Sequence, residues 1–124
     1  MRPRIGKEIG RGAEGVVYEN LDEADWVVKE FHQAGVSPLQ ARNEFENLEK
    51  ARAIRPDNVV LARAPVDPRQ GWIVKEEVTR SNKPKDMAQH AELVRAFSNI
   101  HDVPNNLMWG TTVSNPAPRW ILIE

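Results

Sequence analysis

Three glycines and one lysine are the residues from which chemistry could start. In Ile9-Gly10-Arg11-Gly12-Ala13-Glu14-Gly15-Val16-Val17-Tyr18 the glycines stand at the spacing G-x-G-x-x-G, and Lys29 follows inside the run Trp26-Val27-Val28-Lys29-Glu30-Phe31. Glycine opens backbone conformations closed to other residues and lets the main chain come close to a ligand. Successive main-chain N–H groups can then cradle phosphate oxygens. A lysine within an apolar strand either faces solvent or meets an anion. Loop and lysine together fit the binding of a phosphate-bearing ligand.

The flanks show which elements must hold these groups. Val16, Val17 and Tyr18 are β-branched or aromatic and suit a strand. The polar link Glu19 to Asp25 breaks that strand, and Trp26 to Phe31 make a second one. The glycines therefore belong to a β-hairpin that could close over a ligand. In a dinucleotide fold the same spacing opens a helix. A Gly-rich hairpin with an edge lysine is the plainer alternative. Ser37-Pro38 then mark a helix start. A helix is expected over Leu39 to Ile54, with Phe45, Leu48 and Ala51 on roughly one stripe and Glu44, Glu46 and Glu49 as its acids. Pro56 ends it.

Further on, Asn58 to Val66 and Trp72 to Val78 read as strands joined by the turn Asp67 to Gly71. Trp72 is expected to pack in or beside the core. Thr79 to Pro84 form a linker. Lys85 to Asn99 read as a helix with the apolar stripe Leu93, Val94 and Phe97, and with His90 solvated. Gly110 to Arg119 read as a turn segment and Trp120 to Ile123 as a strand.

Bulk properties narrow the classes. The chain has 124 residues, no cysteine and a formal net charge of −1. That length suits one domain with a small core. The near balance of charge argues against nucleic acid or an anionic membrane as partner. Without cysteine, neither disulfides nor thiolate metal sites are available. Met1-Arg2-Pro3-Arg4-Ile5-Gly6 leads into no apolar segment of a secretory signal, and no apolar run is long enough to span a membrane. No internal repeat is visible.

The order of these features resembles the protein-kinase fold, and most of all compact bacterial kinases, of the type III effector or toxin type, that lack a full C-terminal lobe. The resemblance implies an α+β fold. Residues 1–78 would be a kinase-like N-terminal lobe, a five-stranded antiparallel sheet plus one helix. Residues 79–84 would be the hinge, and 85–124 a minimal helix and hairpin in place of the C-terminal lobe. It further implies ATP and Mg²⁺ as cofactors. Gly10, Gly12, Gly15 and Val17 would contact the nucleotide, and Lys29 would neutralise its phosphates. Glu44 would hold Lys29, although each helix acid could equally belong to a solvated face. Glu76 to Val78, at the end of the lobe just before the hinge, would meet the adenine.

Ile100-His101-Asp102-Val103-Pro104-Asn105-Asn106 is similar to a compressed kinase catalytic loop, in which an Asp acts on the acceptor hydroxyl and an Asn five positions on holds Mg²⁺. Here Asp102 and Asn106 are four apart, so two alignments compete. Either Asp102 is the catalytic carboxylate and Asn106 the metal ligand, or His101-Asp102 close the preceding helix and the catalytic Asp is missing. Glu124 stands where the family has the Asp of Asp-Phe-Gly and could ligate Mg²⁺ through oxygen, or be a frayed end. The functions implied are a minimal phosphotransferase acting on a protein hydroxyl, or an impaired kinase-like module that binds a protein partner, with self-association as a further consequence. Nucleotidyl transfer would use the same residues. The location implied is cytoplasmic, or a host cell reached by signal-peptide-independent secretion.

Overall fold

The computed structural model describes residues 2–124; Met1, the first residue of the expected lobe, lies outside them. The fold is α+β, with two helices and two antiparallel sheets. Its residues divide into two compact units, neither continuous in sequence: Met1–Glu46 with Leu61–Glu77, and Asn47–Val60 with Val78–Glu124. No helix among the described residues is long and apolar enough to cross a membrane.

The first unit holds β1 (Ile5–Arg11), β2 (Gly15–Asn20), β3 (Trp26–Phe31) and β4 (Trp72–Glu76), in the spatial order β1-β2-β3-β4 with every neighbour antiparallel. Register decides which side chains share a face. Val17 pairs with Lys29, Lys29 with Ile73, and Val27 with Lys75. Side chains alternate along a strand, so Lys75 shares the face of Ile73 and thus of Lys29. Helix α1 (Ser37–Ile54) starts within this unit. Gly35 turns the chain into it with φ of 86°, a conformation that favours glycine. Its second turn brings Ala41 onto Phe31 and Ile73, with Phe45 and Ala62 packed against that cluster.

The second unit is built on β5 (Thr79–Arg80), β6 (Leu107–Thr112) and β7 (Asn115–Leu122), in the order β5-β6-β7, together with α2 (Met87–Ala96). Asp86 caps α2 by accepting a hydrogen bond from the Gln89 N–H at 3.0 Å. Leu93 and Phe97, four positions apart on one helical face, are fully buried. Trp109 and Trp120 face each other across the β6–β7 ladder with ring centroids 5.7 Å apart. Both indole N–H groups are satisfied, by the carbonyls of Lys83 at 3.1 Å and Asp86 at 2.8 Å. Arg119 is buried and clasps its own hairpin, donating to the carbonyls of Asn115 at 2.9 Å and Ala117 at 3.0 Å and to Thr112 Oγ1 at 3.1 Å.

Four expectations change. Thr79–Arg80, expected to belong to a linker, form β5 and pair antiparallel with β6. The first sheet has four strands, not five, because Asn58 to Val66 divides its hydrogen bonds between two partners. Val59 bridges Leu122 and the Val60 N–H bonds the Leu122 carbonyl in the second unit. Ala62 bridges Lys75 in the first, flanked by bonds from the Arg63 N–H to Val74 and from the Glu76 N–H to Leu61. Neither run reaches ladder length, and Pro65 has no N–H to extend it. Gly110 to Arg119 is mostly strand, the turn being confined to residues 113–114. His90 is half-buried, its ring edge-on to Trp120 at 4.6 Å.

Candidate phosphate-binding site

The glycine motif spans the β1–β2 hairpin. Gly10 pairs with Val17, and the Gly12 N–H closes the turn onto the Gly15 carbonyl at 2.9 Å. Only one of the three glycines is demanded by the fold. A Cβ on Gly15 would collide with the Glu30 carbonyl of β3. One on Gly12 would meet nothing, and one on Gly10 would make only an ordinary contact with Val17 at 3.9 Å. None of the three has positive φ. The space over Gly12 is open, which is what close approach of a ligand to the main chain requires. His32, just after β3, holds the tip: its main-chain N–H bonds the Glu14 carbonyl at 3.1 Å, and its Nε2 lies 3.1 Å from the Ala13 carbonyl.

Lys29 is buried, and its Nζ donates to Glu44 Oε1 at 2.6 Å. Glu44 reaches it because Ala41, Glu44, Leu48 and Ala51 form the buried stripe of α1, while Glu46 and Glu49 are exposed. Lys75 Nζ lies 2.8 Å from the other oxygen, Oε2. All three residues are less than a tenth exposed. Burial is the largest influence on the Glu44 carboxyl and pushes its pKa up. The nearby ammonium groups, Lys75 and then Lys29, together with their hydrogen bonds, outweigh it and hold the pKa below the ordinary 4.5. Glu44 is therefore a buried carboxylate flanked by two cations.

Lys75 was not among the sequence candidates, although a signal was present. It lies two positions from Ile73 in an apolar strand, so alternation puts it on the same inward face. Val17 is half-buried in β2 opposite Lys29. Glu76 is buried at the end of β4, and its N–H and that of Glu77 are occupied by the carbonyls of Leu61 and Asp25. Val78, half-buried, opens the second unit.

The remaining candidates belong to the second unit. Asp102 is exposed, and it is the one non-glycine among the described residues with positive φ, at 57°. Asp tolerates this left-handed conformation better than most residues. Its Oδ1 accepts from Asn105 Nδ2 at 2.6 Å. Asn106 ends the short 3-10 turn Val103–Asn106, and its carbonyl accepts from the Ile123 N–H at 3.0 Å. The pairing of Leu107 with Leu122 thus brings Asn106 and Glu124 to the same end of the β6–β7 ladder. No cluster of three or more His, Cys, Asp or Glu fit to hold a metal occurs among the described residues. An amide and a carboxylate oxygen nevertheless belong to the donor class of Mg²⁺, which keeps waters and takes its remaining ligands from phosphate.

A cleft of about 340 Å³ in the first unit, lined among others by Arg2, Asp22, Glu23, Arg63 and Trp72, contains none of the glycine-loop, Lys29 or Glu44 residues. Its charged residues are already paired, Arg63 with Glu23 inside the cleft, and Asp22 with Arg4 at 2.8 Å and Arg2 with Glu30 outside its lining, and Arg63 also lies over the Trp26 ring at 4.2 Å. No family model matches the chain, and no curated protein matches it.

Proposed function

We propose that the chain is a minimal kinase-like phosphotransferase that uses MgATP to modify a protein hydroxyl, in the manner of a bacterial effector or toxin. The observation that carries this reading is the buried Lys29–Glu44 pair at 2.6 Å, set beside a glycine hairpin in which Gly10 and Gly12 answer to no need of the fold. Phosphoryl transfer asks the protein chiefly for positioning and charge neutralisation. Main-chain N–H groups of the hairpin would receive phosphate oxygens, and Lys29 would neutralise them. Glu76 to Val78 would contact the adenine, with the Glu76 and Glu77 N–H groups already occupied. Asp102 would orient the acceptor hydroxyl. Asn106 and Glu124 would hold magnesium, whose charge offsets that of the phosphates when bound.

A second reading is a catalytically impaired module that binds a protein partner, with or without nucleotide. It is favoured by the Asp102 carboxylate being engaged by Asn105 and by the short spacing from Asp102 to Asn106. Mass spectrometry after incubation with MgATP separates the two. Added phosphate, lost in Lys29→Ala and Asp102→Ala, supports the enzyme. No modification with an intact thermal shift on MgATP supports the binding module, and no shift removes nucleotide binding from both.

A further inference from the structure

We infer that Lys75 is a positioning residue of the phosphate site, keeping Glu44 neutralised and in place when a phosphate draws Lys29 away. This rests on the reading of Lys29 as a phosphate ligand. Each oxygen of Glu44 has its own ammonium group, Lys29 on Oε1 at 2.6 Å and Lys75 on Oε2 at 2.8 Å. The two lysines come from adjacent strands, diagonally placed on one sheet face, and the carboxylate comes from the helix packed on that face. Glu44 is 6% exposed, so water cannot take over from a departing cation. A buried carboxylate that loses its counter-charge is strongly disfavoured. Were Lys29 the sole cation at Glu44, the carboxylate would compete with every incoming phosphate for it. With Lys75 on the second oxygen, Lys29 can shift toward a ligand while Glu44 stays paired and α1 keeps its ionic hold on β4.

A mere staple between helix and sheet would leave phosphate affinity untouched, so the test reads affinity and stability together. Titration calorimetry with MgATP and with inorganic tripolyphosphate is run on the wild type, Lys75→Met, Lys75→Arg and Lys29→Met. Lys75→Met is expected to weaken both ligands on the order of tenfold, about 1.4 kcal/mol, and Lys75→Arg to retain most of the affinity. Urea denaturation of the same variants, with the Lys29→Met/Lys75→Met double and that double carrying Glu44→Gln, supplies the ligand-free arm. Each single variant is expected to fold, the double to lose more than the sum of the singles, and Glu44→Gln to restore part of the loss. Wild-type affinity in Lys75→Met overturns the inference, as do additive losses or a single variant that does not fold. A wild type that binds neither ligand also overturns it; a non-additive double then places the failure in the phosphate reading, and an additive one in the hold of Lys75 on Glu44.

Discussion

Lys29, Lys75 and Glu44 in the first unit and Asp102 in the second are all charged side chains at candidate sites, yet they are held by opposite means. The first three are buried and paired through contacts that join β3, β4 and α1, residues far apart in sequence. Asp102 is exposed and bonded to Asn105 three positions on, within one turn. A buried network is fixed when the chain folds and fails as a unit. A local turn can be altered at little cost to the fold, which leaves such a residue open to selection by chemistry alone.

The sharpest way to break this contrast is Glu44→Ala, which leaves two ammonium groups buried without their shared carboxylate. A loss of roughly 3–5 kcal/mol is expected in urea denaturation; a loss below that of any Asp102 variant would erase the contrast. Acid makes the same change without mutation. A group whose pKa is lowered by folding stabilises the fold above its ordinary value and ceases to do so as pH falls through the folded value. Stability should therefore drop as pH falls below 4.5, and Glu44→Gln should flatten that part of the curve followed by circular dichroism.

Gly15→Ala comes next, because its Cβ meets the Glu30 carbonyl. A cost of about 1–3 kcal/mol is expected, whereas Gly12→Ala should stay within about 0.5 kcal/mol in stability and show its effect, if the loop binds phosphate, in MgATP affinity. Asp102→Ala loses the Asn105 bond and keeps a left-handed backbone, for roughly 1–2 kcal/mol; Asp102→Gly should cost less, since glycine accepts that φ, and the pair of melting curves checks the order. Smallest is Glu92→Ala, which removes the exposed partner of Arg55 at 2.6 Å. At most about 1 kcal/mol is expected, shrinking in high salt.

Much of the first unit was legible because its signals are local. The hairpin, the lysine strand and the start of α1 all follow from glycine spacing, β-branched runs and Ser37-Pro38. Glu44 could be singled out from Glu46 and Glu49 only through the resemblance to kinases, since periodicity alone left three acids in play. The structure decides it by putting Glu44 on the same stripe as Ala41 and Leu48. Lys75 escaped notice because charge suggested solvent where alternation pointed inward. Asn58 to Val66 carried the residues of a strand, but strand length depends on a continuous partner, which no single segment reveals. Pro116 and Pro118 made β7 look like a turn, although a proline is tolerated on an edge strand.

Those two prolines bear on how the molecule behaves at high concentration. β7 is an edge of its sheet, and bare edges recruit strands from other molecules. Toward its C-terminal end the strand is capped by Val59 and Val60. Toward its start, Pro116 and Pro118 offer no N–H to a newcomer. This edge is thus closed at both ends, and replacing both prolines with threonine would be expected to raise light scattering of concentrated samples on standing.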